Sequence, residues 1–475
     1  MNLWNRLLPL GILIVCSGCA GNALTKEPAE LIVYGDHVVS MVPGELPLTD
    51  GAVAIRDGRI VAVGKRDEIE RRFSPAATIS GRNKIVMPGL VNGHTHAAMT
   101  LLRGVADDLD LMDWLTNYIF PAEVDLVDED FVRTGTQLAC WEMIESGTTS
   151  FVDMYYFPDA VAETVVDCGL RAVVAPSVIE QVAPDAPDGE SSLRQAVDFI
   201  ERWRNKSDLV IPALGAHSVY TISEVGLRRI ADAAQSVDAP VAIHVSESLN
   251  EISITSERYG ATPVDVLEMT GILKQPVIAA HVVHPSESDI AKLARHNTGA
   301  IHNPTSNMKL ASGLSPVAKL RSGNVAVGLG TDGPASNNDL DMWEEIRLAS
   351  LLAKGDALDP KALPAVDVLA MATRDGAVAI GLGDEVGQLA PGLRADLIQI
   401  DFSEVRHAPL YNVISHLVYV ADSTDVVTTI VGGRVLMRDR SIVTIDEANL
   451  RAKVRRWNGR IARRLKLPIY EPRND

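Results

Sequence analysis

Two histidines two residues apart, His94 and His96, close an apolar run that begins at Leu90. On an extended strand that spacing sends both rings to one side, so a single strand offers two imidazoles to a common point. His217 and His244 end later apolar runs, His281 lies inside another, and Asp332 ends the last. His94, His96, His244 and Asp332 together make an N3O donor set with room for water, which suits one divalent ion: zinc first, with iron or another first-row metal as the alternative. Such an ion brings the pKa of bound water toward neutrality. Asp332 is placed to take that water's proton. Glu247, three residues after His244, is placed to protonate a ring nitrogen and later to help deliver a proton to a leaving amine. His281 suits a hydrogen bond to the attacking oxygen and to a tetrahedral adduct. The competing structural reading is a set of satisfied core histidines with a capping aspartate, and for Glu247 a solvated loop charge.

These residues need elements that bring distant chain positions to one rim. Eight short apolar runs alternate with helical patterns: Leu90–His96, Thr149–Met154, Arg171–Ile179, Ile211–His217, Val241–His244, Val277–Val283, Gly299–Asn303 and Val325–Asp332. Eight β-then-α units predict an α/β fold, a (β/α)8 TIM barrel, whose sites lie at the C-terminal ends of the strands. That is where the candidate residues stand. Both chain ends read differently. Asp57-Gly58 and Gly432-Gly433 sit between apolar runs and predict hairpins. A small β-sandwich domain formed from both chain ends is expected, from 31–88 and 391–445, around a barrel at 89–390 and before a helix and tail at 446–475.

The chain has 475 residues, 47% hydrophobic and 22% charged, with a net charge of −18. That charge disfavours nucleic acid and favours a small-molecule substrate. Residues 1–18 read as an export leader of lipoprotein type, with a basic start, an apolar run from Leu7 to Val15 and Cys19 as the lipidation site. The apolar run is too short to span a bilayer. Residues 19–30 would then be a tether, and membrane contact would come only through that anchor, on the periplasmic side; a mis-assigned start would leave the chain cytoplasmic. Cys140 and Cys168 lie in apolar helical stretches and read as buried free thiols. His284 faces away from the site by parity, while His302 suits pocket and packing equally. His37, His296, His407 and His416 lie off the strand ends and read as fillers, and the basic final helix reads as a solvated face. A homo-oligomer is compatible with all of this.

The motifs resemble a known family. Met87-Pro88-Gly89-Leu90-Val91-Asn92-Gly93-His94-Thr95-His96, His244-Val245-Ser246-Glu247, Ala280-His281 and Gly330-Thr331-Asp332-Gly333 are similar to those of the amidohydrolase superfamily, in its 5′-methylthioadenosine/S-adenosylhomocysteine deaminase branch. Leu101-Leu102-Arg103-Gly104, Pro121-Ala122-Glu123 and Asn303-Pro304-Thr305-Ser306-Asn307-Met308 add to the likeness. The resemblance implies a metal on His94, His96, His244 and Asp332, and ribose contacts from Glu123. It also implies substrate contacts from His217 and Glu247, a pocket wall at Trp114, and replacement of the adenine 6-amino group to give the inosine analogue and ammonia. Where the family often has Ser-Arg after the third strand begins, this chain has Ala175-Pro176, which puts a charged-tail contact in doubt. Other readings are an amidohydrolase for another heteroaromatic ring (guanine, a pterin, an s-triazine) and a non-catalytic ligand-binding surface lipoprotein.

Overall fold

The structure is a computed structural model that describes residues 26–469; the leader, Cys19 and the last six residues lie outside the described residues. The middle of the chain forms a ring of parallel strands. These are β1 (Leu90–Thr95), β2 (Thr148–Tyr155), β3 (Arg171–Val178), β4 (Leu214–Ser218), β5 (Val241–Val245), β6 (Val277–His281), β7 (Gly299–His302) and β8 (Ala326–Leu329). Each pairs in parallel with the next in sequence. The fourth expected run is interrupted: Val210–Pro212 pairs with β3, and β4 starts after Ala213. Pro212 offers no N–H to the ladder there.

β1 and β8 close the ring without a regular ladder. The Asp332 amide donates to the His94 carbonyl at 2.9 Å. Asn92 Nδ2 donates to Thr331 Oγ1 at 2.7 Å, and the Thr331 amide donates to Asn92 Oδ1 at 3.0 Å. Thr95 Oγ1 donates to the Asp332 carbonyl at 3.0 Å. The eighth strand was expected to run to Asp332, but it ends at Leu329, and Asp332 takes a positive φ of 64° that no strand uses. Inside the ring Val91, Val152, Met154, Ala175, Ile278 and Ile301 fill the bottom with apolar volume. Polar residues are left to the upper rim.

The two chain ends share one nine-stranded sheet, in which Lys84–Pro88 pairs antiparallel with Leu397–Asp401. The join buries Val33, Val53, Ile55 and Val86 with Leu397 and Ile430. Both expected hairpins form. Asp57 and Gly58 have φ of 52° and 70°, and Gly432 and Gly433 have 55° and 76°, as a tight two-residue turn requires. The turns also touch: a Cβ at Gly58 would come within 3.0 Å of the Gly432 carbonyl oxygen. The expected tether corrects at one end. Strand Glu27–Val38 begins inside it, because Glu27 to Ala29 pair with Phe73 to Pro75. The final helix, Glu447–Leu465, lies against helix Glu129–Ser146, with Trp457 Nε1 donating to Asp130 and Arg460 pairing with Asp128. Arg451, Arg455, Arg456, Arg460, Arg463 and Arg464 stay exposed, as a solvated basic face requires. Cys140 and Cys168 are free and buried. Among the described residues no helix is long and apolar enough to cross a membrane.

Candidate active site

The ends of β1, β5, β6 and the segment after β8 bring six polar side chains to one point. His94 Nε2 and His96 Nε2 each lie 3.3 Å from Asp332 Oδ1. His244 Nε2 lies 3.3 Å from His96 Nε2. The ligand atoms of His94, His96 and His244 fall within 4.8 Å of one another, as do those of His94, His281 and Asp332.

Hydrogen bonds around the cluster decide which ring nitrogens face inward. His96 Nδ1 meets the Met154 carbonyl at 2.5 Å, and His244 Nδ1 meets the His217 carbonyl at 2.7 Å. A carbonyl only accepts, so both Nδ1 atoms carry the hydrogen and both neutral rings turn a lone pair inward at Nε2. Two inward lone pairs 3.3 Å apart repel, so this spacing calls for a cation between them, a metal ion or a proton. His94 Nε2 is buried with no hydrogen-bond partner. These donors fit a divalent metal ion. Burial pushes the His94 pKa down to about 4 and that of His244 well below the usual range, which favours the neutral ligand form. Burial also opposes charge on His96, but the Asp332 carboxylate outweighs it and raises His96 to about 9, so without an ion a proton is held there. Despite burial, His94 and His96 hold the Asp332 carboxyl well below its ordinary value. Ser306 Oγ and Ser336 Oγ donate to Asp332 Oδ2 at 2.7 and 3.1 Å, and the Gly333 amide donates to Oδ1 at 2.7 Å.

Glu247 and His281 face this centre from the neighbouring strands. His281 Nε2 lies 3.8 Å from Glu247 Oε2 and 4.0 Å from Asp332 Oδ2. Asn307 Oδ1 sits 2.9 Å from His281 Nδ1 and orients the ring. Burial raises the Glu247 pKa, which favours a carboxyl able to give up a proton. The turn carrying Glu247 is pinned by Glu251, whose carboxylate accepts from the Ser246 and Glu247 amides at 3.0 and 2.8 Å. Ser246, His281, Val282 and Asp332 all have positive φ. Such backbone is costly outside glycine, and here it is concentrated at the strand ends that carry the site.

A cleft opens over this centre. Of the residues expected to contact a substrate, Trp114, Glu123, His217 and Glu247 all line it. A π-helical turn, Trp114–Ile119, leads into helix Phe120–Leu126 and sets Trp114 and Glu123 on one wall. Burial raises the Glu123 pKa to about 7, and Tyr156 Oη donates to its Oε2 at 3.4 Å. Its Oε1 is buried without a partner, so an acceptor is free on that wall. His217 is held at Nδ1 by Thr221 Oγ1 at 3.1 Å.

Sequence reasoning missed Tyr155, Tyr156, Tyr220 and Phe120, which also line the cleft. The only available signal was the position of Tyr155 and Tyr156 at the end of the second run, which core aromatics share. Asp153, also missed, accepts from the Ala97 amide at 2.6 Å and fixes the chain just after His96. His302 resolves toward packing: it borders a separate cavity with Leu314, Val317, Ala349 and Ala353. Parity explains this, since Ile301 beside it fills the barrel interior. His284 bonds the Ser312 carbonyl at 2.7 Å, a structural role.

The sequence matches the family model described as "Amidohydrolase family" over residues 85–436. A short match to an imidazolonepropionase-like composite domain of bacteria covers residues 51–73 in the terminal sheet. A 5-methylthioadenosine/S-adenosylhomocysteine deaminase of Carboxydothermus hydrogenoformans is 45% identical over 89% of this chain and 96% of that protein. A 5′-deoxyadenosine deaminase of Methanosarcina barkeri is 44% identical over 88% of this chain and 95% of that protein. An adenosine deaminase from Xanthomonas campestris, solved with bound zinc, superposes with a TM-score of 0.90 at 38% identity, over 92% of this chain and all of that one. With its strand-end histidines, its aspartate after the eighth strand and a family match covering the whole barrel, the chain belongs to the amidohydrolase family.

Proposed function

We propose that the protein is a metal-dependent deaminase that hydrolyses the 6-amino group of an adenosine-type nucleoside: 5′-methylthioadenosine, S-adenosylhomocysteine, 5′-deoxyadenosine or adenosine. Water and the nucleoside become the inosine analogue and ammonia. The observation that carries the reading is the convergence of His94, His96, His244 and Asp332 beneath Glu247, in a cleft whose opposite wall presents the unpartnered Glu123 oxygen. The named activities of relatives more than 40% identical over most of their length support it.

His94, His96, His244 and Asp332 would hold one divalent ion. Three imidazoles and a carboxylate favour zinc, and the zinc-bound relative agrees, with iron the alternative. When bound, such an ion supplies a nucleophilic water at neutral pH and Lewis acidity. Glu247, whose pKa burial raises, gives its proton to the purine nitrogen next to the carbon under attack, which makes that carbon electrophilic. Asp332 Oδ2, steadied by Ser306 and Ser336, accepts the proton that the nucleophile sheds. His281 hydrogen-bonds the oxygen that becomes the new carbonyl. Glu123 takes the ribose hydroxyls and His217 lies along the sugar edge, while Trp114 and Phe120 keep water from the ring.

Export with a lipid on Cys19 belongs to this proposal and is supported only by the pattern of residues 1–19; palmitate labelling lost in Cys19→Ala would establish it. The function itself is tested with zinc-loaded protein and a nucleoside panel, following ammonia and adenine absorbance. Lack of turnover on adenosine, 5′-deoxyadenosine, methylthioadenosine and S-adenosylhomocysteine alike would refute it.

A further inference from the structure

We infer that the cleft selects nucleosides whose 5′ substituent is uncharged, and disfavours those with an amino-acid tail. This narrows the proposed function and rests on it. The relatives' names divide on this point, since one group includes S-adenosylhomocysteine and another names 5′-deoxyadenosine.

Beyond the histidine–aspartate centre, Glu123 and His217, the cleft is lined mainly by apolar and aromatic side chains, among them Leu111, Leu115, Ile119, Phe120, Tyr220 and Leu310. Among the described residues lining the cleft none is lysine or arginine. The acidic side chains that line it are Glu123, Glu247 and Asp332. Two cations beside lining residues already have partners of their own. Lys309, next to the lining Leu310, is held by Asp107 and by Asn338 Oδ1. Arg258 reaches the Tyr220 carbonyl at 3.4 Å on the exposed side and lies 5.9 Å over the Tyr259 ring. The third strand supplies no charge to the cleft either. Ala175 is buried in the barrel interior, and Ser177 is the β3 residue on the cleft.

A zwitterionic tail brings a carboxylate that loses hydration on entering such a wall. It finds no guanidinium fork to replace that water, and it enters the field of a chain with a net charge of −18. A hydrogen or methylthio group at the same position meets only apolar surface. The wall therefore discriminates by charge, and length matters less.

The experiment compares kcat/KM on the zinc-loaded enzyme for 5′-deoxyadenosine, methylthioadenosine, S-adenosylhomocysteine and two probes. One probe is 5′-butylthioadenosine, long but neutral; the other is the 3-aminopropylthio analogue, which keeps the ammonium and lacks only the carboxylate. The first two substrates and the butylthio probe should agree within about tenfold, and S-adenosylhomocysteine should fall at least about tenfold below them. Removal of the carboxylate should recover part of that loss. If S-adenosylhomocysteine matches methylthioadenosine within threefold, or if the butylthio probe is as poor as S-adenosylhomocysteine, the inference is overturned while the deaminase reading stands. If none of the five is deaminated, the function itself fails and takes the inference with it.

Discussion

Asp332 and His94 meet twice: the Asp332 amide donates to the His94 carbonyl at 2.9 Å, and Asp332 Oδ1 lies 3.3 Å from His94 Nε2. The first contact closes the barrel where β1 and β8 share no ladder; the second joins two candidate ligands. Closure of the fold and assembly of the site are thus one event. Asp332 makes both contacts from a left-handed backbone with φ of 64°.

The first prediction concerns metal retention. His96→Ala or His244→Ala removes one of the two lone pairs that face each other at 3.3 Å. Purified variants should hold less than about a third of the zinc of the parent by elemental analysis, and ammonia release should fall by at least about 10³-fold. Full zinc occupancy in either variant would show that the ion sits elsewhere.

Glu247→Gln should separate binding from proton transfer. The amide keeps the shape, leaves the Glu247 backbone bond to Glu251 intact and cannot give up a proton. Metal content should stay unchanged while kcat falls about 10²–10⁴-fold. Asn307→Ala should cost less, about tenfold, because it frees the His281 ring without removing it. A Glu247→Gln enzyme with near-parental kcat would move the proton donor to another group.

Much of this site was legible because barrel geometry ties sequence position to place. A histidine that ends an apolar run stands at the rim, and His94 and His96 share a side by parity alone. Asp332 was found for the right position and the wrong conformation, since a residue just past a strand end reads the same as its last member. Tyr155, Tyr156 and Phe120 stayed hidden because an aromatic at a cleft and one in a core have the same local sequence. The π-helical turn that aims Trp114 and Glu123 has no periodicity of its own to detect. Glu251 and Glu345 were unreadable for another reason: a lone carboxylate on a helix normally faces water, and only the tertiary fold buries these two.

Those two acids predict how stability follows pH. Burial raises Glu251 and Glu345 to about 8, well above the 4.5 of an exposed glutamate. The folded state therefore binds more protons than the unfolded chain between pH 4.5 and 8. The stabilisation is whole below that window and is lost as pH rises through it. The buried histidines His94 and His244, held neutral, act in the opposite sense below pH 7, so thermal midpoints should fall from pH 7 to 8.5, and the slope should be shallower in Glu345→Gln, where one titrating group is gone. Glu345 accepts from the Thr305 amide at 3.1 Å and Asn337 Nδ2 at 2.8 Å, so the variant's absolute midpoint will also shift and only the slope is diagnostic. A midpoint that rises across this range would contradict the assignment.

The last prediction links the final helix to substrate binding. Trp457 is 3% exposed and meets Phe131 edge-on at 5.2 Å, with its Nε1 on Asp130 Oδ2 at 3.1 Å. Arg464 pairs with Asp125, two residues beyond Glu123 on the wall helix. The helix thus reaches the segment that carries Glu123 directly through one exposed ion pair, and indirectly through a buried aromatic packed on the helix that follows it. Their weights differ sharply. Trp457→Ala opens a large cavity and should cost about 3–5 kcal/mol in urea unfolding. Arg464→Ala breaks an ion pair that solvent screens, and should leave the urea midpoint nearly unchanged. If these contacts position Glu123, Trp457→Ala should also raise KM for methylthioadenosine several-fold at a temperature where the variant remains folded, with kcat changed less, because Glu123 lies away from the reacting carbon. An unchanged KM in folded Trp457→Ala would mean that Tyr156 and the packing of Trp114 hold Glu123 without help from the C-terminal helix.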